Sequence, residues 1–200
     1  MLRLQTPRDF ALFVGAFVTV FGLVGLRVAG LRRRTQRLAE VFDDRPEIQG
    51  RFFAFRLEGH VRGREVTFRM VPGSRYSPDR FHVLIVCSAP FDFEMRKDTG
   101  DGRFIKWLGF RPGIPADHTK VGDTLAFSPS DPGRFRNWAG NTLAALGIDR
   151  LFADYRADSV TFKEGTLHAI RHGLKSIPAP GEAREVLDVL CRLAEAAERA

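Results

Sequence analysis

The chain contains few of the residues that build cross-linked or reactive sites. Its 200 residues include only two cysteines, two tryptophans, two tyrosines and five histidines. Cys87 and Cys191 are far apart in the sequence and form no C-x-x-C pair, which excludes a disulfide framework and a cysteine zinc site. Cys87 lies in an apolar, strand-like run and Cys191 on a helical pattern, so both thiols are expected to be reduced and buried.

The common catalytic and cofactor motifs are also missing. The sequence has no P-loop, no G-x-S-x-G and no H-E-x-x-H. Gly100 and Gly102 begin a G-x-G, but Ile105 occupies the place of the third glycine of a dinucleotide fingerprint. His168 and His172 have the spacing of a zincin helix without its glutamate, and no third ligand follows nearby. We therefore predict no cofactor and no metal site.

The part of the chain beyond residue 40 has little excess charge of either sign. The whole chain has a net charge of +7, with 31 basic and 24 acidic residues. Residues 1–40 contain seven arginines and two acidic residues, which leaves 24 basic and 22 acidic side chains in residues 41–200. A nucleic-acid-binding domain carries its basic excess on the folded part. We therefore predict no nucleic-acid partner.

One long apolar run is present, near the start of the chain. Phe10 to Leu26 contains seventeen residues without a charge. Continued to Leu31, the run would form a helix of about 33 Å, which matches the roughly 30 Å of a bilayer core. It is apolar on all sides rather than along one stripe, unlike a core helix. We therefore expect a transmembrane anchor over residues 1–31; a signal peptide cleaved near Ala29 is the alternative.

Five arginines surround the end of this run: Arg27, Arg32, Arg33, Arg34 and Arg37. Fewer basic residues precede the run, so the positive-inside rule predicts a single-pass inner-membrane protein with a cytoplasmic C-terminal domain. Basic residues at this position also suit anionic lipid headgroups, which makes the lipid bilayer the expected partner. We expect residues 32–46 to form a basic juxtamembrane stalk that ends at Pro46.

Small residues provide a second expectation for the anchor. Gly15, Thr19, Gly22 and Ala29 would share one face of a helix. Small residues allow two helices to approach closely in lipid, so the sequence suggests a homodimer through this helix, or contact with another membrane protein.

Residues 47–200 predict one α+β domain. Alternating residues in 51–58 and 64–71 predict two half-exposed strands, joined by a hairpin connection over Gly59–Gly63. FHVLIVC, residues 81–87, is apolar on both faces and predicts a central strand. Further strands are expected around Phe93 and in a last hairpin around Gly165.

Three helices complete this predicted domain, the first a short one through Phe104, Ile105 and Leu108. Asp131 and Pro132 are suited to begin a second helix that ends at Gly147, and a third helix follows Pro180. Strand runs with interspersed helices and no regular βαβ alternation indicate helices packed on a mostly antiparallel sheet. Fourteen of the eighteen phenylalanines lie outside the apolar run, so aromatic packing should dominate the core.

The stretch Lys120–Gly147, KVGDTLAFSPSDPGRFRNWAGNTLAALG, resembles part of bacterial membrane-anchored domains of unknown function. An acidic residue and a phenylalanine lead into a short strand, then an Asp-containing turn and a helix. The matching positions are Asp123, Phe127, Ser128, Asp131, Arg136 and Leu143. The resemblance implies a bacterial, membrane-tethered protein and assigns no catalytic residue.

The loop Pro72–Arg80 is the best candidate for ligand binding. Its Arg75, Tyr76 and Arg80, together with two serines, could hold an anionic group. The alternative is an ordinary hairpin loop in which Asp79 pairs locally with an arginine.

These observations favour a binding or assembly module, with no catalytic residue assigned. The alternatives are a membrane-bound hydrolase or transferase, and a domain that senses anionic lipids. An enzyme would draw on the Arg75/Arg80 loop or on Asp98, Asp101, Asp117 and His118. Asp98 also begins a D-T-G triplet, whose charged surroundings indicate a turn rather than a protease site.

Overall fold

The computed structural model describes residues 7–51, 54–97, 125–173 and 177–200. The short helix predicted through Phe104, Ile105 and Leu108 lies outside these ranges. Within these ranges the chain forms four helices and eight strands. The helices are α1 (Pro7–Ala39), α2 (Pro132–Leu146), α3 (Ile148–Ala153) and α4 (Pro180–Glu198). The strands are β1 (Glu47–Arg51), β2 (Ala54–Val61), β3 (Arg64–Val71), β4 (Arg80–Val86), β5 (Phe93–Lys97), β6 (Leu125–Pro129), β7 (Ser159–Lys163) and β8 (Thr166–His172).

The eight strands form one sheet in the order β1-β2-β3-β4-β8-β7-β5-β6. Every pairing in it is antiparallel. The predicted α+β class and antiparallel sheet are therefore confirmed. β4 lies in the middle of the sheet between β3 and β8, as its apolar sequence predicts.

The helices cover one face of the sheet, here called the inner face. Strand residues alternate between the two faces, so every second side chain, such as Phe68, Ile85 and Met95, is buried on the inner face. Phe135 of α2 lies with its ring centroid 5.7 Å from that of Phe93. The buried side of α4 includes Leu187, Leu190, Leu193, Ala194 and Ala197.

The opposite face, here called the outer face, is not covered by a described helix. Its alternate strand positions carry a mixture of charged, polar and apolar side chains, whose burial is only intermediate or low. Antiparallel sheets commonly expose one face in this way. The outer face is therefore the broad surface on which a ligand could meet the strands directly.

The β2–β3 hairpin differs from its prediction. Only Arg62 and Gly63 form the turn, both with positive φ (54° and 72°), while Gly59 to Val61 belong to β2. Gly59 lies inside the strand. A glycine is needed at this position because the chain that follows α1 passes close to it. A Cβ at Gly59 would lie 2.7 Å from Asp44 Oδ1 and 2.8 Å from Phe42 Cδ1.

The end of α1 belongs to the packed domain. Leu38 is fully buried, and Val41 and Phe42 just beyond the helix are 7% and 8% exposed. Asp44 then accepts a hydrogen bond from the His60 N–H at 2.8 Å, which ties the following segment to β2. The core thus begins within α1, upstream of the boundary at residue 46 that the sequence suggests.

The prediction of an N-terminal transmembrane helix is wrong for the residues that the structure describes. The apolar run does lie in a helix, α1, of 33 residues. However, among the residues that the structure describes, no helix combines the length and the apolar character needed to cross a membrane. In α1 the apolar residues continue directly into the arginine-rich turns, and the last turns pack into the domain.

Candidate functional site

The residues of the predicted ligand loop occupy different settings. Arg75 and Tyr76 lie in the loop between β3 and β4, and Tyr76 is 90% exposed. Asp79 accepts a hydrogen bond from the Gly73 N–H at 2.7 Å, so the loop is closed by a local contact to the backbone. Arg80 is the first residue of β4 and belongs to the sheet. Of the three candidates, only Arg80 is part of a site built on strands.

The acidic residues and the histidine considered for an enzyme, Asp98, Asp101, Asp117 and His118, lie outside the described residues. The cysteines are both free and buried, as predicted. Burial raises the pKa of each thiol, at Cys87 and at Cys191, to about 11. Neither is therefore a nucleophile near neutral pH.

The arginines predicted to flank a membrane all lie on α1. Arg32, Arg33, Arg34 and Arg37 are exposed. None of these four forms an ion pair with a described residue. Thr35 lies between them but is buried, and its hydroxyl donates to the Leu31 carbonyl at 3.0 Å. This segment therefore presents a basic surface on one side and packs against the domain on the other.

A cleft of about 980 Å³ lies between α4, the α2–α3 junction and the β2–β3 turn. Its charges are largely paired within the protein. Asp188 contacts both Arg62 and Arg192. The Tyr155 hydroxyl donates to Glu185, and burial together with this carboxylate raises the pKa of Tyr155 to about 12. These internal pairs leave the cleft few free groups for a ligand.

A pair of histidines lies at the centre of the outer face. His82 of β4 and His168 of β8 are joined by a hydrogen bond of 2.8 Å between His82 Nδ1 and His168 Nε2. Their rings are nearly parallel, at 15°, with centroids 5.1 Å apart. The other ring nitrogen of His82, Nε2, is buried and has no hydrogen-bond partner.

The environment of this pair keeps both rings neutral at neutral pH. Burial, followed by the neighbouring His168 and by Arg80 and Arg69, lowers the pKa of His82 to about 4. Burial also lowers the pKa of His168. One ring of a neutral pair donates and the other accepts, so the shared hydrogen bond fixes the tautomers relative to each other.

Two arginines adjoin His82 on the same face. Arg69 of β3 is directly opposite His82 in the register, and Arg80 precedes His82 by two residues on β4. Both side chains are exposed, and neither has an ion-pair partner among the described residues. We call Arg69, Arg80, His82 and His168 the histidine–arginine cluster.

The sequence indicated only part of this cluster. The sequence indicates Arg80 through its loop, and it indicates His168 and His172 only as a pair with the spacing of metal ligands. In the structure His168 pairs with His82, whereas His172 Nδ1 lies 2.9 Å from Asp158 Oδ2. His82 and His168 are 86 residues apart, so only the pairing of β4 with β8 brings them together. Their positions on the half-exposed side of two strands were the available signal.

The comparisons with known proteins give no relative. The chain matches no family model, no curated protein and no solved structure. The resemblance of residues 120–147 to bacterial membrane-anchored domains therefore stays a prediction.

Proposed function

We propose that this chain is a binding module that associates with an anionic membrane surface through α1. The observation that supports this most directly is the exposure of large apolar side chains on this helix. Of the eight large hydrophobic side chains that the structure describes as exposed, five lie on α1. Phe17, Phe21 and Leu26 are 52%, 59% and 73% exposed. A contiguous apolar surface of this kind marks a site of interaction with a partner or with lipid.

The charge that follows the apolar surface favours lipid as the partner. Arg32, Arg33 and Arg34 are exposed and lie about 9–12 Å along the helix beyond Leu26. Acyl chains and anionic headgroups lie close together at a membrane surface, so an exposed apolar segment followed by exposed arginines can contact both from the surface. Each basic residue near such a surface contributes about 1 kcal/mol.

The connection between α1 and the domain makes this association relevant to binding. Because Leu38 is fully buried in the core, the domain cannot separate from the helix without exposing that side chain. Lipid bound along α1 would therefore hold the sheet close to the membrane. The outer face of the sheet would remain available for a ligand, which fits a module that binds or assembles rather than an enzyme.

Co-sedimentation of the full chain with lipid vesicles tests the proposal. Vesicles of phosphatidylcholine alone are compared with vesicles that contain 30% phosphatidylglycerol, at low and at high salt. We expect the anionic vesicles to bind the chain more tightly, and salt to weaken that preference. The triple change Arg32→Gln, Arg33→Gln and Arg34→Gln should reduce the affinity for anionic vesicles about a hundredfold.

A matched control uses arginines of the domain. Arg192→Gln and Arg199→Gln remove two exposed arginines of α4 and its end, and should leave vesicle binding unchanged. If the unmodified chain stays in the supernatant with both kinds of vesicle, membrane association is wrong. If the triple change has no effect on a chain that does sediment, the basic segment does not contact the headgroups.

A further inference from the structure

The immediate neighbours of His82 on the outer face include no acidic residue. The strand register gives eight such positions on β3, β4 and β8. They are Arg69, Ile170, Arg80, Leu84, Thr67, Val71, His168 and His172. Two of the eight are arginines and none is a carboxylate. The position above His82 is therefore electropositive, which disfavours a metal cation and favours an anion.

The two arginines are distinguished from others on the same face by their lack of a partner. Arg56 pairs with Glu58, and Arg96 pairs with Glu94. Arg69 and Arg80 have no such pair with any residue in the described ranges. Unpaired guanidinium groups next to one another repel, and an oxyanion between them would remove that repulsion while accepting hydrogen bonds in a forked geometry.

The orphaned nitrogen of His82 points to the same chemistry. A buried polar group without a partner costs free energy that a ligand can recover by supplying the hydrogen bond. When His168 Nε2–H donates to His82 Nδ1, the proton of the neutral His82 ring is on Nε2. His82 then has an unused hydrogen-bond donor, Nε2–H, on a residue that adjoins both arginines in the strand register.

We propose that the histidine–arginine cluster binds a phosphate monoester. Arg69 and Arg80 contact the phosphate oxygens, and His82 donates to them through Nε2–H. Opposite and diagonal positions of a sheet have Cβ atoms about 5 Å and 7–8 Å apart, within reach of two arginine side chains. A monoester carries nearly two negative charges at neutral pH, which matches two unpaired guanidinium groups better than a carboxylate or a phosphodiester does.

His168 acts as a positioning residue in this site. Its hydrogen bond to His82 Nδ1 holds the proton on Nε2, the His82 nitrogen that has no partner within the protein. The site uses strand residues rather than α1, so a failure of membrane association through α1 would not disprove this site. The monoester could be a soluble compound or the headgroup of a phosphatidic acid, since both present the same terminal phosphate.

Calorimetric titration of the full chain in a zwitterionic detergent, with phenyl phosphate as the probe, tests the site. We expect Arg69→Gln and Arg80→Gln each to weaken binding roughly tenfold or more, because each removes a charged hydrogen-bond donor. Diphenyl phosphate, a singly charged diester, should bind at least tenfold more weakly than phenyl phosphate. Nuclear magnetic resonance should show the pKa of His82 rising in the complex, because the anion stabilises the imidazolium form.

The matched control is Arg96→Gln, which removes an exposed but paired arginine from the same face. It should change the affinity for phenyl phosphate less than twofold. Equal losses in Arg96→Gln and Arg80→Gln, or equal affinity for the monoester and the diester, would overturn the proposal. Thermal unfolding of each variant checks that the fold is retained, as expected for exposed positions.

Two variants of His168 separate positioning from structure. The amide of His168→Gln can still donate to His82 Nδ1, so the affinity and the ring ¹⁵N shifts of His82 should stay close to those of the unmodified chain. His168→Leu removes the donor, so the affinity for phenyl phosphate and the ring ¹⁵N shifts of His82 should both change. If the two variants behave alike, the positioning role is wrong.

Vesicles distinguish the two sources of the phosphate. Phosphatidylcholine vesicles with 10% phosphatidic acid are compared with vesicles that contain 10% phosphatidylglycerol. If the ligand is a headgroup, Arg80→Gln lowers binding to the phosphatidic acid vesicles and leaves binding to the phosphatidylglycerol vesicles unchanged. If the ligand is soluble, Arg80→Gln lowers binding of phenyl phosphate and leaves both vesicle affinities unchanged. Either result supports the site, whereas an effect of Arg80→Gln on neither probe rejects it.

Discussion

At the scale of single residues, two histidines on the outer face have pKa values that are shifted in opposite directions. His82 is partly buried beside two arginines, and its pKa is lowered to about 4. His60 is exposed, and its Nδ1 lies 2.7 Å from Asp44 Oδ2, so the pKa of His60 is raised. The difference follows from the surroundings, because burial penalises the charged ring and a carboxylate stabilises it.

The pKa of His82 predicts a loss of stability in mild acid. Between pH 6.5 and about 4 the unfolded chain binds a proton at this residue and the folded chain does not. The free energy of unfolding should therefore fall as pH falls through this range and level off below it. The loss is at most about 3 kcal/mol, and less to the extent that solvent screens the ring. Urea unfolding in phosphate-free buffers at several pH values measures it, and His82→Leu should flatten the curve.

His60 provides the control with the opposite sign. Because its folded pKa is raised, its contribution to stability is present below pH 6.5 and is lost as pH rises through the folded value. His60→Gln should therefore cost more stability at pH 5 than at pH 8. For His82 itself, the contradicting outcome is a free energy of unfolding of His82→Leu that depends on pH as steeply as that of the unmodified chain.

At the scale of the structural elements, the β7–β8 hairpin combines a suitable and an unsuitable turn residue. Glu164 and Gly165 both have positive φ, 51° and 76°, as a two-residue type I′ turn requires. Asparagine is the favoured residue at the first position, and glycine at the second. The ion pair of Glu164 with Lys163 is well exposed and contributes little.

We expect Glu164→Asn to stabilise the chain by about 0.5 kcal/mol and Gly165→Ala to destabilise it by about 1–2 kcal/mol. A Cβ at Gly165 would meet Cys87 O only at 3.5 Å, so the cost of alanine there comes from the backbone conformation. For a chain of this size, 1 kcal/mol shifts the thermal midpoint by about 2–4 °C. Midpoints of both variants that move in the same direction would contradict the assigned turn.

The elements were predictable from the sequence where one local pattern decides them. Asp131 accepts a hydrogen bond from the Arg134 N–H at 3.0 Å and begins α2 as its residue type predicts. The start of the β2–β3 turn was misplaced because Gly59 resembles a turn residue. Its small size instead serves a contact with Phe42, seventeen residues earlier, which no local pattern reveals.

The candidate site was less predictable than the elements. Arg80 is visible in the sequence as a charged residue at a loop end, but its value depends on Arg69 and His82 beside it. To predict that Arg69 lies beside His82, one must know the register of β3 with β4. To predict that His168 does so, one must know the pairing of β4 with β8. Registers between distant strands depend on packing of the whole sheet, so alternation along one strand identifies the face but not the neighbours.

At the scale of the whole molecule, α1 and the sheet domain share one core. Leu38, Val41 and Phe42 come from α1 and the residues just after it, and all three are buried in the hydrophobic core. Phe42 packs edge-on against Phe68 of β3, with ring centroids 5.2 Å apart. A division of the chain at residue 46 therefore removes core side chains, whereas a division at residue 31 retains them.

This shared core predicts different behaviour for two truncated chains. Each of the three side chains contributes about 1.5–3 kcal/mol by burial, so their joint loss approaches the 5–15 kcal/mol by which a whole domain is stable. Residues 31–200 should unfold in one cooperative thermal transition, and residues 46–200 should show a much lower midpoint or none.

Leu38→Ala within residues 31–200 should cost about 2–5 kcal/mol, because Leu38 is fully buried. Arg37→Ala, at the exposed neighbouring position, is the control and should change stability little. Equal midpoints for the two truncated chains would mean that the sheet domain folds without α1 and that the buried position of Leu38 adds nothing to its stability.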